Sequence, residues 1–336
     1  MKKLLKTALL LSSLVMYSIA PRAMAKDDDN PRKITIGLIA TTTAEDTQKR
    51  WQPVIDDFAK YTKMEVRTVV STNYNEILAG LKSNTIQVAW LSSKIALEAV
   101  EDNQSTVFAQ MVKKDGSHGY NSVLITPAKS PIKTFEDILS NKGVYSFYDG
   151  DKSSTSGYLV PAYYAFAKNK VEPDRLFKTI VVGNHKKNLL AVINGQVDVA
   201  TNNTEELDRL KKESPEQFGK VRVIWSSPLI PNDPLLYRKD LPAASKARIE
   251  EFFVTYGKPK NPASQPDVLQ NILDLSGFQH STDAQLKPIA DLTMFGLLRS
   301  NMYDTKLSTA QKQKAFEDIT ARFGKLSMSL EMARLR

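Results

Sequence analysis

Asp149-Gly150-Asp151-Lys152-Ser153-Ser154-Thr155-Ser156-Gly157 runs directly into Tyr158-Leu159-Val160-Pro161-Ala162-Tyr163-Tyr164-Ala165-Phe166-Ala167. The residues before it, Gly143-Val144-Tyr145-Ser146-Phe147-Tyr148, alternate small and bulky side chains and read as a buried strand. Those after it are rich in alanine, leucine and aromatics and read as a helix. A strand therefore feeds a loop of three consecutive hydroxyls, and the loop opens a helix. The first turn of a helix carries backbone N–H groups without internal partners and the positive end of the dipole, so it favours anions. Ser154, Thr155 and Ser156 would add three hydroxyls, and Gly157 would admit close approach to the backbone. Serine and threonine also begin helices as ordinary caps. Two readings stand at this point, an anion site or a plain cap. A loop after a strand is where open α/β sheets bind ligands.

The chain begins Met1-Lys2-Lys3-Leu4-Leu5-Lys6, continues with an apolar run from Thr7 to Ala20, and then shows Ala23-Met24-Ala25. This is the pattern of a secretory signal peptide cleaved after Ala25. The apolar run is short for a membrane anchor and is interrupted by Pro21-Arg22. Lys2, Lys3, Lys6 and Arg22 would leave with the leader, which takes the net charge from +9 to +5. The remaining basic residues are scattered, as at Lys186-Lys187 and Lys211-Lys212, with no basic stripe interleaved with stacking aromatics. Nucleic acid is not an expected partner. Without cysteine, a lipoprotein anchor, thiolate metal sites and cysteine nucleophiles are excluded. The three histidines, His118, His185 and His280, are too widely spaced to suggest a zinc site. No metal or cofactor is expected.

From Lys33 the pattern alternates strands and helices. Lys33–Ala40 reads as a strand, Asp46–Lys63 as a helix with Trp51, Val54, Ile55, Phe58 and Tyr61 at helical spacing, and Met64–Val70 as a second strand. A helix begins at Asn73, a third strand covers Ile86–Leu91, and Ser92-Ser93 caps a helix over Lys94–Asn103. This alternation predicts a mainly parallel sheet. Further strands are expected over Tyr120–Thr126, Leu176–Val182, Gly195–Ala200 and Val221–Trp225, with a helix over Lys187–Asn194. After the prolines at 228, 231 and 234 the chain reads as helical, over Ala243–Tyr256, Pro266–Leu275, Lys287–Ser300 and Ser308–Leu335.

Ile86-Gln87-Val88-Ala89-Trp90-Leu91-Ser92-Ser93 resembles Gln196-Val197-Asp198-Val199-Ala200-Thr201-Asn202-Asn203. Each is a strand ending in polar residues ahead of a helix, which suggests two similar α/β lobes. The chain would cross between them near Tyr120–Val123 and return near Trp225–Pro231. Two crossing strands make a hinge with a ligand cleft between the lobes. Residues 26–121 with 232–300 are expected to form lobe 1 and 122–231 lobe 2. Residues 301–336 are a helical tail that packs on the first lobe, with pairing of two copies as the lesser alternative.

Several segments are similar to the substrate-binding proteins of bacterial phosphonate ABC transporters in their enterobacterial form. They are Val107-Phe108-Ala109-Gln110, Gly119-Tyr120, Ser122-Val123-Leu124-Ile125, Ser154 to Pro161, Tyr163-Tyr164, Val197 to Glu205, Val223-Ile224-Trp225, Ser227 to Pro231 and Asp233-Pro234. The resemblance implies a type II periplasmic binding protein fold of two α/β lobes joined by a two-strand hinge, with C-terminal helices. It implies a periplasmic location, a membrane permease as partner, and a phosphonate ligand, with 2-aminoethylphosphonate expected. Ser154, Thr155 and Ser156 then look like the phosphonate cradle, with His185 a further donor. Glu205 and Asp233 look like partners of a ligand ammonium, and Tyr74 and Tyr120 like walls and hydroxyl donors from the first lobe. Leu91-Ser92-Ser93 departs from the family form, which carries Tyr-Gly-Asn there.

Two other functions fit parts of this pattern. The same fold could take phosphate, phosphite or another small oxyanion, but such a ligand gains nothing from Glu205 and Asp233. A serine hydrolase using Ser154 or Ser156 with His185 and an acid is the distant alternative. It lacks the Gly-x-Ser-x-Gly elbow and any metal site for phosphoryl chemistry, so the chain is expected not to be an enzyme.

Overall fold

The structure is a computed structural model that describes residues 33–259 and 266–335. The leader expected at residues 1–25 lies outside the described residues. The chain runs β1 (Lys33–Ile39), α1 (Ala44–Thr62), β2 (Glu65–Ser71), α2 (Tyr74–Lys82), β3 (Val88–Trp90), α3 (Ser93–Glu101) and β4 (Ser105–Lys113). It continues through β5 (Gly119–Tyr120), β6 (Ser122–Pro127), α4 (Phe135–Ser140) and β7 (Ser146–Gly150) to a helical run over Thr155–Leu159 and Ala162–Ala167. Next come α5 (Pro173–Leu176), β8 (Thr179–Gly183), α6 (His185–Ile193), β9 (Val199–Asn203), α7 (Thr204–Glu213), α8 (Pro215–Phe218) and β10 (Val221–Ser226). The chain then forms β11 (Ile230–Pro231), β12 (Pro234–Arg238), α9 (Ala243–Thr255), α10 (Pro266–Asn271), β13 (Leu275–His280), α11 (Lys287–Tyr303) and α12 (Thr309–Ala333).

Two sheets organise these elements. The first has the order β13-β4-β12-β3-β1-β2 and the second β10-β6-β9-β7-β8. β1 pairs in parallel with β2 and β3, and β7 in parallel with β8 and β9. The expectation of a mainly parallel sheet is corrected by the rest. β12 is antiparallel to both β3 and β4, β13 to β4, and β6 to both β9 and β10. The strands that carry the chain between the sheets run against the βα units they join, so each sheet is mixed. The crossing itself is a short antiparallel pair, β5 with β11, in which Tyr120 faces Ile230 and Gly119 faces Pro231.

The first core forms because α1 presents Trp51, Val54, Ile55 and Phe58 to Ile34, Ile36 and Leu38 of β1, all essentially inaccessible to water. Phe58 then meets Phe252 edge-on and stacks on Phe253, at 5.1 and 5.6 Å between ring centres. Burial of such side chains contributes about 1.5–3 kcal/mol each. The second sheet is covered on both faces. Phe135, Phe147, Phe166 and Phe177 pack on one, and Leu189, Val192, Val197 and Leu207 on the other. α12 joins the first core through Phe323, Leu326 and Leu330, while Phe316, Met328 and Met332 on its other side are exposed.

Two strands in the C-terminal part were not expected from the sequence. β12 starts at Pro234, which is tolerated as the first residue of a strand, and its Leu235 and Leu236 are fully buried. β13 contains Gly277 with φ +156°, and the register shifts between Leu275 and Gly277. That irregularity hides its alternation, so Pro266–Leu275 is helical only to Asn271. Two boundaries in the second sheet also move. Gly195 takes φ +66° and ends α6, so β9 begins at Val199 rather than Gly195. Pro173 opens the short α5, so β8 begins at Thr179 rather than Leu176.

Candidate functional site

β7 ends at Gly150, and the loop after it returns so closely that a Cβ on Gly150 would stand 2.4 Å from the Gly157 carbonyl. The two glycines are needed where backbone crosses backbone, so Gly157 serves this crossing before any ligand. The helix expected after the loop is wound as π turns at Thr155–Leu159 and Ala162–Ala167. Such turns are rare and recur at functional sites. They bring Leu159 and Val160 against the first core.

Ser154, Thr155 and Ser156 are all buried. The Ser154 hydroxyl accepts the Gly157 N–H at 2.9 Å, as the capping reading requires. The Thr155 hydroxyl accepts the backbone N–H of Lys94, across from the first turn of α3, at 2.9 Å. The Ser156 hydroxyl accepts from the Asn203 side chain at 3.3 Å. An oxygen engaged in this way meets a further anion by giving its own O–H, and such charge-assisted bonds are short and strong. Capping uses one of the three hydroxyls, which leaves the other two without a capping role.

His185 opens α6, and its ring Nε2 lies 3.3 Å from the Ser156 hydroxyl. Its backbone carbonyl accepts from Asn202 at 3.0 Å. Burial lowers the imidazole to about 4, so the ring is neutral at pH 7 and offers one N–H. Asn203, which caps α7 and reaches Ser156, was not singled out in the sequence.

The carboxylates come from two separate elements. Asp233 immediately precedes β12. Its carboxylate accepts the Tyr120 hydroxyl at 3.3 Å and the backbone N–H of Ser93 at the start of α3. Burial first, and the charge of Glu205 second, push it well above the usual carboxylate range. Glu205, in the first turn of α7, is also raised by burial, and Lys113 opposes the rise. The Tyr120 hydroxyl hydrogen-bonds Ser156 as well as Asp233, so it links the hydroxyl loop to the carboxylates. Tyr74 opens α2 and is buried. Its phenol is raised by burial and by the nearby charges of Asp233 and Asp151.

All eight residues expected at the site therefore lie on one connected surface between the sheets. Tyr120 and the Asp233–Glu205 proximity tie them together. Two further groups were not legible. Ser93 is 1% exposed, and its hydroxyl has no partner in the structure although its N–H holds Asp233. Lys113 Nζ, from the end of β4, lies 3.3 Å from Glu205 Oε1. The departure at Leu91-Ser92-Ser93 thus keeps contacts in the cleft, since the Ser92 hydroxyl also donates to the Ser153 carbonyl at 3.0 Å. Among the described residues no cluster of acids and histidines could hold a metal ion.

The two sheets meet around this surface. Asn184 donates to the Thr42 carbonyl at 2.8 Å, Asn75 to Ser153 at 3.3 Å, and Arg50 pairs with Glu213 at 2.9 Å.

A family model described as "ABC transporter, phosphonate, periplasmic substrate-binding protein" matches residues 36–286. The chain is 39% identical over 303 residues to the phosphonates-binding periplasmic protein of Escherichia coli K12, covering 88% of each. It is 22% identical over 223 residues to a probable ABC transporter phosphite-binding protein of Prochlorococcus marinus, covering 65% of this chain and 73% of that one. Among solved structures it is similar to a binding protein component of a phosphonate ABC transporter from Pseudomonas aeruginosa. That match has a TM-score of 0.81 at 37% identity, over 92% of this chain and all of the other. These neighbours have the type II periplasmic binding fold, and the two sheets here are its two lobes.

Proposed function

The chain belongs to the periplasmic substrate-binding proteins of phosphonate ABC transporters, and from that premise we propose which end of a ligand each part of the cleft holds. As a member it binds a phosphonate, works with a membrane permease and is not an enzyme. The phosphonate oxygens belong at Ser154, Thr155 and Ser156, with the neutral His185 ring beside them and Tyr74 as a wall. A ligand ammonium belongs between Glu205 and Asp233, with Tyr120 alongside. The ligand that fits both ends is 2-aminoethylphosphonate. The observation that carries this reading is that the Ser154 and Thr155 hydroxyls each already accept an N–H, so each has an O–H to give to an anion.

The two lobes close about the β5–β11 crossing, with residues 26–121 and 232–300 as one body and 122–231 as the other. The closed form is what the permease reads. Cleavage after Ala25 delivers the protein to the periplasm. Pairing of two copies through the exposed Phe316 and Met328 side of α12 is the remaining proposal on partners, and sedimentation tests it.

Calorimetry on Ser154→Ala/Thr155→Ala/Ser156→Ala tests the phosphonate end. At least ~2 kcal/mol of 2-aminoethylphosphonate binding should be lost, from ~0.5–1.5 kcal/mol per hydrogen bond and more where charge is involved. A folded triple variant with wild-type affinity would place the phosphonate elsewhere. Equal or tighter binding of phosphate or phosphite would move the assignment to an inorganic oxyanion.

A further inference from the structure

Lys113 and Glu205 come from opposite lobes and bury their charges on each other. The nitrogen–oxygen distance is 3.3 Å, and each side chain is only 11% exposed. A buried carboxylate left alone is costly, and a buried pair much less so. The cation here sits beside the position just assigned to the ligand's ammonium. We propose that Lys113 is a built-in substitute for the ligand ammonium, so that this cleft accepts alkylphosphonates as well as aminoalkylphosphonates. The inference rests on the assignment of Glu205 and Asp233 above and deepens it.

The charge balance shows why. The groups facing Glu205 are Lys113 on β4, Asp233 before β12, Tyr120 on β5 and Asp208 on α7. With an uncharged ligand end, Glu205 keeps Lys113 as its counter-ion. Asp233 is already inclined to hold its proton, and no buried charge goes unpaired. With an ammonium end, Asp233 gives up its proton and takes the new cation, and the balance again closes. Without Lys113 the charges balance only with an ammonium ligand, Asp233 keeping its proton and Glu205 taking the new cation. An alkyl ligand would then strand Glu205, and the amine would become a requirement. Lys113 is followed by Lys114, whose backbone N–H bonds the Asp274 carbonyl. Lys113 is the last residue of β4, and that end of the strand is held by β13, where Lys113 pairs with Leu275.

The test compares 2-aminoethylphosphonate with ethylphosphonate by calorimetry on wild type, Lys113→Met and Lys113→Ala. The ratio of the two affinities cancels any effect on cleft closure, which both ligands share. The wild-type ratio should be within about tenfold, and both variants should widen it at least tenfold. Adding Glu205→Gln to Lys113→Met should bring the ratio back. An unchanged ratio in both lysine variants overturns the proposal. A second readout needs no ligand. Lys113→Met should lower the melting temperature of the empty protein at pH 8, and Lys113→Met/Glu205→Gln should recover it. No recovery would overturn the pairing even if binding failed throughout. If neither phosphonate binds wild type while the recovery is seen, it is the assignment of the cleft that falls and not the pairing.

Discussion

The Thr155 hydroxyl accepts the backbone N–H of Lys94 at 2.9 Å, a bond from the hydroxyl loop of one lobe to the first helical turn of the other. Ser92 to Ser153 and Asn75 to Ser153 flank it, so the loop that would hold the anion also receives the opposite lobe. On the proposed assignment, ligand recognition and closure share the same side chains. The Lys94 N–H at the start of α3 takes its partner from the opposite lobe, while the Ser93 N–H takes Asp233 from its own.

Thr155 should accordingly tolerate serine and not valine. Thr155→Ser keeps the oxygen, and 2-aminoethylphosphonate affinity should stay within about threefold. Thr155→Val is nearly isosteric but leaves the Lys94 N–H buried without an acceptor, at about 1–3 kcal/mol, and removes a donor to the ligand. Titration calorimetry on both variants decides it, and equal affinities would show that Thr155 has no part in either role.

His185 makes the stability of the empty protein pH-dependent. Its folded pKa is depressed to about 4 from an ordinary value of 6.5, because burial disfavours the charged ring. The unfolded chain binds the proton first, so the contribution is fully present above about pH 6.5 and is lost as pH falls towards 4. Between those limits wild type should lose on the order of 3 kcal/mol more than His185→Gln. Urea unfolding of both at pH 7 and pH 4.5 measures the difference. Parallel losses would mean that the ring is not held neutral by burial.

Processing is tested by mass. Lys2, Lys3 and Lys6, the apolar run and Ala23-Met24-Ala25 place cleavage after Ala25. The intact mass of protein recovered from the periplasm should lack residues 1–25. A mass that retains them would remove the basis for secretion through a cleaved leader.

The cluster of candidate residues was more legible than the strands that deliver it. Ser154-Thr155-Ser156 announces itself because three hydroxyls after a strand exceed what a cap uses. In the structure Ser154 does the capping, by accepting the Gly157 N–H. The likeness of Ile86–Ser93 to Gln196–Asn203 also has physical content. β3 and β9 each lie inside their sheet, and the helices after them start at the cleft, with Ser93 and Glu205 in their first turns. The π winding leaves no trace in composition. β13 was hidden by its irregular register around Gly277, and β12 by the prolines before it. Lys113 was illegible for a different reason. In Lys113-Lys114-Asp115-Gly116 it looks like one more charge at a turn. Only the fold, which brings the end of β4 to Glu205 in the first turn of α7, shows it buried there.

Asp233 yields the last prediction. Burial and the neighbouring charge of Glu205 raise its carboxyl well above the ordinary range, so it favours the protonated form in the empty cleft. An ammonium placed between Glu205 and Asp233 favours the ionised form, and the proton must leave as the amine enters. Binding of 2-aminoethylphosphonate should therefore release a proton that binding of ethylphosphonate does not. The phosphonate group titrates too, and differently in the two ligands. The informative quantity is thus the change for one ligand between wild type and Asp233→Asn. Calorimetry at pH 7 in buffers of different ionisation enthalpy counts these protons. Proton release by the amine should fall by up to one per site in Asp233→Asn, with ethylphosphonate unaffected. The same substitution should weaken the amine about tenfold or more and leave the alkyl ligand level, since a buried charge pair is lost for one and nothing for the other. An unchanged proton count with the amine would mean that Asp233 keeps its proton throughout and acts towards the ligand only as a hydrogen-bonding group. Glu205 would then be left as the sole carboxylate for the ammonium.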